Sequence, residues 1–168
     1  GIVNIKVPEE NIIDSFKLNR KTNHYKKLQE QLFLILNEAD RKPKCDLVIL
    51  PEVSIPLHFL PFIVNQSRTR QIGLVFGCEH IILNNECMNL IFVVLPEVNE
   101  YGFTQCYLYA RNKKYYAPKE EELIKSFGLK VPSTQTDYIR HFWRNCFFST
   151  YNCYELTEIN SRGKFRSY

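Results

Sequence analysis

The chain has 168 residues, enough for one domain with a sizeable core. Hydrophobic residues at 45% and charged residues at 24% exclude a disordered chain, and 14% aromatic content favours sheets and packed interfaces. A formal net charge of +4, with a pI near 8.7, is too weak to indicate nucleic acid without a clustered patch.

Six cysteines stand at 45, 78, 87, 106, 146 and 153, irregularly spaced and without a CxxC pair, several of them inside apolar runs. This pattern reads as free thiols in a reducing compartment rather than as a disulfide framework. Cys and His do not fall at zinc-ligand spacing, so no metal is expected, and the residues suggest no cofactor. No stretch approaches the roughly 18 apolar residues that span a bilayer, and the first residues lack the apolar core of a signal peptide. No membrane partner and a cytoplasmic location are the expectations.

In chain order, residues 1–7 alternate apolar and polar and read as a first or edge strand, ended by Pro8-Glu9-Glu10. Over 24–39, Leu28, Leu32, Ile35, Leu36 and Ala39 recur at helical spacing, with Lys26, Lys27, Glu30 and Glu38 elsewhere on the wheel, giving an amphipathic helix. Asp46-Leu47-Val48-Ile49-Leu50-Pro51-Glu52 then reads as an apolar strand covered on both faces. Pro51 lacks the N–H a ladder needs, so the strand stops there and Glu52 lies just past its end. Residues 57–65 suit a short helix, and Arg68 and Arg70 lead into a second buried strand over 72–78.

Asn84-Asn85 marks a turn within 79–86, and 90–95 forms a third apolar strand, which predicts a hairpin between it and 72–78. After a turn at 99–102, residues 103–113 alternate, with Phe103, Gln105, Tyr107, Tyr109, Arg111 and Lys113 on one face. Lys113 thus falls at a strand end. Residues 118–125, with Glu120-Glu121-Glu122 near the front, read as a short helix start or loop. Residues 130–137 are a loop, and the aromatic stretch 138–151 ends in a strand running into Asn152-Cys153-Tyr154-Glu155-Leu156. Residues 154–159 suit the start of a further helix, ended at 161–164. The order of elements fits an α/β layered domain with a mixed sheet.

An acid (Glu52), a cation (Lys113) and a thiol (Cys153), each near the end of a strand and in this chain order, form a recognisable set. The chain resembles the carbon-nitrogen hydrolase, or nitrilase, superfamily. Leu47-Val48-Ile49-Leu50-Pro51-Glu52 is similar to the family's apolar run followed by Pro-Glu. Lys113-Lys114-Tyr115-Tyr116-Ala117-Pro118-Lys119-Glu120 is similar to its lysine motif without the frequent His-Leu, and leaves Lys114 as an alternative to Lys113. Cys153-Tyr154-Glu155-Leu156 is similar to its cysteine elbow, with Asn152 in place of the usual apolar residue.

The resemblance implies an α-β-β-α sandwich with mixed sheets and hydrolysis of a nonpeptide C–N bond in a small-molecule amide or nitrile. Cys153 would attack to give a thioester, Glu52 would act as base, and Lys113, with the backbone N–H of Tyr154, would hold the oxyanion. A second, substrate-positioning glutamate follows the lysine in many relatives, and Glu121 is preferred here over Glu120. The chain ends soon after the elbow, so a single domain over 1–168, incomplete at its C-terminus, is expected. Uncovered strand faces then predict a homo-oligomer or a companion segment.

The competing readings are plainer. Cys153 alone suits an inert buried thiol, Lys113 a solvated charge, and Cys78 with His80 a satisfied core thiol beside a polar histidine. A noncatalytic nitrilase-like module that regulates or assembles a larger protein, such as a reverse transcriptase, is the main alternative. Nucleic acid is expected only through an attached domain, or through Arg68, Arg70, Arg111, Lys113 and Lys114 if these share a surface.

Overall fold

The computed structural model describes residues 2, 5–17, 22–41, 43–133 and 136–157. Helices α1 (Glu9–Lys17) and α2 (Thr22–Ala39) precede strand β1 (Leu47–Ile49), and a 3₁₀ turn (Leu57–Phe59) leads into α3 (Leu60–Arg70). Strands β2 (Gly73–Gly77), β3 (Ile81–Leu83), β4 (Glu86–Met88), β5 (Leu90–Val98) and β6 (Thr104–Asn112) follow, then α4 (Pro118–Ser126). The hairpin β7 (His141–Trp143) and β8 (Cys146–Phe148) comes next, and a second 3₁₀ turn spans Cys153–Thr157.

The main sheet has the order β1-β2-β5-β6, with β1 parallel to β2 and the other pairs antiparallel. It is an α/β fold with a mixed sheet, as the order of sequence elements requires. β2 and the middle of β5 are apolar at successive positions because both of their faces are covered, and side chains alternate between those faces. Leu74, Phe76, Phe92 and Val94 join Leu28, Leu32 and Leu36 of α2 and Ile63 of α3 in one core layer. Val75, Ile91, Val93 and Leu95 point the other way and pack on Trp143. The indole N–H of Trp143 donates to the Pro96 carbonyl at 3.1 Å, so its one polar atom is satisfied inside this layer.

The predicted antiparallel pairing of 72–78 with 90–95 is present. The Asn84-Asn85 turn, however, closes the separate hairpin β3–β4, with both asparagines left-handed (φ 51° and 65°). Four other expectations change. Residues 5–7 form no strand, and Ile2 makes only an isolated bridge to Ile49. Glu9 and Glu10, read as the end of a strand, open a helix over 9–17, because they suit a first turn and Ile12 and Phe16 lie four apart. The short helix expected at 57–65 runs on to Arg70. Asn152 to Leu156 is a turn rather than a strand, since Glu155 folds back to accept the Asn152 N–H. The helix and stop read at 154–159 and 161–164 lie largely outside the described residues.

The cover on β1 is also one-sided. Val48 is buried under α2, but Ile49 is 39% exposed. The β7–β8 hairpin is short and lies over β2 and β5, leaving a cavity of about 490 Å³ against Leu47, Ile49, Val75 and Ile91. All six cysteines are free thiols. Among the described residues no helix is long and apolar enough to cross a membrane.

Trp143 anchors the hairpin to the sheet, so Trp143→Ala should cost about 3–5 kcal/mol of stability, the usual cost of truncating a buried aromatic. Urea unfolding followed by circular dichroism measures it; a loss under about 1 kcal/mol would show that the hairpin is not what covers this face.

Candidate active site

Glu52 owes its position to a backbone contact. The turn after β1 crosses β2 at Gly77, where a Cβ would meet the Glu52 Cα at 2.5 Å and the Val53 N at 2.6 Å. Only glycine allows this approach. The Gly77 N–H donates to the Pro51 carbonyl at 3.1 Å, and the Gly77 carbonyl accepts from the N–H groups of Ser54 and Ile55 at 3.0 and 3.1 Å. Between these bonds Val53 is forced to φ 54°, a left-handed conformation unfavourable for a β-branched residue.

Lys113 follows the last residue of β6, and its N–H donates to the Asn89 carbonyl at 2.8 Å, which extends the β5–β6 ladder by one bond. Its ammonium is buried and donates to Glu52 Oε1 at 2.8 Å and Glu120 Oε2 at 2.7 Å. The Asn89 amide nitrogen donates to Glu52 Oε1 at 2.7 Å and to Glu120 Oε1 at 3.1 Å. Two carboxylates, an ammonium and an amide therefore close a ring of hydrogen bonds. Burial alone pushes the Lys113 ammonium toward losing its proton; the charges of Glu52 and Glu120 and their hydrogen bonds outweigh that and raise its pKa above the ordinary value.

Glu120, not Glu121, stands beside Lys113. Pro118 is the first helical residue of α4, so Glu120 is third, and its carboxylate turns back over the helix start toward the Ala117 N–H at 3.4 Å. That is also where Lys113 lies. Glu121, one residue on, turns outward to Lys125 at 3.4 Å. Of the two lysines left open, Lys113 makes these contacts. The Lys114 ammonium lies over the rings of Tyr115 and Tyr138, while its backbone N–H serves Glu155.

The thiol turn is held by a second ion pair. Glu155 is fully buried and receives two bonds from the Arg111 guanidinium, at 2.8 and 2.7 Å, and one each from the N–H groups of Lys114 (2.6 Å) and Asn152 (2.8 Å). Arg111 also donates to the Thr150 carbonyl at 3.0 Å. Burial raises the Glu155 carboxyl, but the bond from Arg111 and the two backbone donors prevail and hold it below the ordinary carboxylate value. The pair fixes the turn bearing Cys153 to the end of β6, two residues before Lys113.

Cys153 is exposed, unlike the buried Cys78 and Cys87, and burial pushes the Cys87 thiol up to about 12. Cys153 and Tyr154 border a cavity of about 410 Å³ together with Glu52, Lys113, Glu120 and Asn89. The structure thus brings Glu52, Lys113, Cys153 and Tyr154 to one cavity and leaves Glu121 off its wall. Sequence reasoning missed Asn89 and the pairing of Arg111, and it ranked Glu120 below Glu121. A polar residue just before the apolar strand 90–95, and a glutamate in the capping position after Ala117-Pro118, were the available signals.

The other sequence candidates are accounted for. Arg111 and Lys113 are buried against carboxylates, so they do not form a phosphate-binding surface with Arg68, which is exposed on α3. Cys78 lies in the main core, and His80 Nδ1 lies 2.8 Å from Ser15 Oγ.

Two variants probe this geometry. Gly77→Ala should destabilise the chain by about 1–3 kcal/mol through overpacking against backbone, read as a lower urea midpoint. Glu155→Gln should cost about 3–5 kcal/mol by leaving Arg111 buried without its counter-charge. The wild-type contribution from Glu155 is present in full above the ordinary carboxylate pKa near ~4.3. It declines as the pH drops below that value and is gone below the lower folded value. Urea unfolding across that range should show this limb in the wild type and a flatter one in Glu155→Gln.

No family model and no curated relative matches the sequence. Solved structures do. An amidase from Nesterenkonia sp. matches with a TM-score of 0.52 at 17% identity, over 80% of this chain and 53% of that one. A cysteine-to-serine variant of the Nesterenkonia AN1 amidase, described as from the nitrilase superfamily, matches at 0.53 and 16%, over 80% and 54%. A glutamate-to-glutamine variant of that amidase, with the acetamide moiety of fluoroacetamide added covalently at its active-site cysteine, matches at 0.52 and 16%, over 80% and 53%. The chain spans about half the length of these structures, and over most of its own length it has the fold of the nitrilase-superfamily amidases.

Proposed function

We propose that the chain is part of a nitrilase-like domain that hydrolyses the C–N bond of a small amide through a Cys153 thioester. The observation that carries this reading is the shared cavity: an exposed thiol, a buried ammonium and two carboxylates border one space of about 410 Å³. The covalent chemistry at the active-site cysteine of the structurally similar Nesterenkonia amidase, and its complexes with butyramide and acrylamide, support an amide as the substrate.

In this mechanism Glu52 takes the Cys153 proton as sulfur attacks the carbonyl carbon, and the C–O π pair moves onto oxygen. Two of the three Lys113 N–H bonds point to Glu52 and Glu120, which leaves the third for that oxyanion, beside the Tyr154 N–H. Collapse breaks the C–N bond, and the amine departs with the proton from Glu52. Water then attacks the thioester with Glu52 again as base, releasing the acid and restoring the thiol. Glu120 and Asn89 hold Lys113 and Glu52 at their separation throughout.

A noncatalytic role in assembling a larger protein is the second reading. It is favoured by the apolar space left open against Leu47, Ile49 and Ile91, a surface a further segment or second copy would cover. In that case partner function survives loss of the thiol.

Release of ammonia from small aliphatic amides separates the two. Cys153→Ala should fall to background and Glu52→Gln by about 10²–10⁴-fold. Glu120→Gln should lose at least roughly tenfold, while Glu121→Gln, a surface residue, should stay within about twofold. Turnover unaffected by Cys153→Ala ends the hydrolase reading.

A further inference from the structure

Helix α1 builds a wall of the cavity that the residues around Cys153 do not account for. Ile12 and Phe16, one turn apart on α1, border it together with Glu52, Asn89 and Lys113, and Val53, His80 and Leu123 line it as well. Phe16 is buried and held between two rings: it stacks on His80 with centroids 4.4 Å apart and on Phe127 at 5.2 Å. Ser15 fixes the turn of helix between them. Its hydroxyl donates to the Ile12 carbonyl at 2.6 Å, and its oxygen lies 2.8 Å from His80 Nδ1. A hydroxyl has one hydrogen to give, so His80 serves as the donor in that contact. The wall is therefore rigid as well as apolar.

We infer that Ile12 and Phe16 of α1 are specificity-determining residues that receive the acyl tail of a short, uncharged aliphatic amide and set its maximum length. This rests on the amide-hydrolase reading of Cys153. The lining joins the charges that the amide group needs to the hydrocarbon of Ile12, Phe16, Val53 and Leu123, which does not solvate a charged tail, and the one polar ring among them, His80, is stacked on Phe16 with its Nδ1 directed to Ser15. Each methylene that reaches this wall tightens binding about fourfold until Phe16 stops the chain. Lys119 also borders the cavity, but it is exposed at the rim, where water competes for its ammonium.

Alkylation of Cys153 by chloroacetamide tests this without requiring turnover. The sulfur displaces chloride from the α-carbon, a C–S bond replacing the C–Cl bond, and the thiol proton passes to base. Peptide mass spectrometry reads Cys153, with the exposed Cys146 as internal reference. Acetamide, butyramide, hexanamide and octanamide are added as protectants, and the ratios of their protection constants are compared, so that a changed labelling rate cancels.

In the full chain butyramide should protect roughly tenfold better than acetamide, with octanamide weaker than butyramide. Phe16→Ala and Ile12→Ala should each move the optimum to longer chains. Ile12→Trp should abolish the advantage of butyramide, which keeps the test valid should Phe16→Ala fail to fold. An order of protection that is the same in the wild type and every Ile12 variant overturns the inference. So does stronger protection by succinamate that disappears in Lys119→Ala. Labelling of Cys146 without Cys153 in the wild type overturns the hydrolase reading itself, and is told apart because no protection is then measured at all.

Discussion

A buried ammonium has to be compensated, and the way Lys113 is compensated organises this end of the molecule. Its two partners come from separate places, Glu52 from the turn after β1 and Glu120 from the first turn of α4, and Asn89, from the entry to β5, donates to both carboxylates. Remove one carboxylate and the remaining charges are left imperfectly paired in a partly dry space, where the Coulomb term is several times stronger than in water. The ring therefore locks the relative placement of β1, β5, β6 and α4 at their ends. A fold with no packing requirement at this point would fill it with hydrocarbon and be as stable or more so.

The second buried pair does a different job. Arg111 and Lys113 are two apart at the end of one strand, and each is spent on a different acid. Arg111 reaches Glu155 and thereby draws in the turn that begins with Cys153, while Lys113 gathers Glu52 and Glu120. One strand end thus sets the position of the acid and of the thiol by two independent electrostatic contacts, with almost no help from apolar packing of the thiol turn itself. Asn152, where an apolar residue is usual in the resembled family, is buried at 3% exposure, and its backbone N–H goes to Glu155. The turn relies on polar bonds where packing would be expected.

Much of the sheet and of the acid's position was readable because period and apolar runs report burial directly. The strands around 48, 75 and 93, the long helix ending at Ala39 and the strand ending just before Lys113 all follow from that signal. What escaped was decided by tertiary contact. Helix α1 is nine residues long, too short to stand alone, and exists through Phe16 packing on His80 and Phe127. The choice between Glu120 and Glu121 depended on which residue is third in α4, a matter of one position that Pro118 determines. Arg111 looked like a surface cation because sequence shows a charge but not its partner 44 positions away.

The left-handed Val53 carries an implication for how this corner responds to change. A glycine there relaxes the backbone but gives up the valine side chain, which is buried and borders the cavity, so backbone ease and side-chain burial pull in opposite directions at this position. Strain of this kind persists only where neighbouring bonds outvote it, here the clasp on Gly77. A strained backbone and a buried side chain thus meet in one residue, and that residue is the neighbour of the carboxylate on which the site depends.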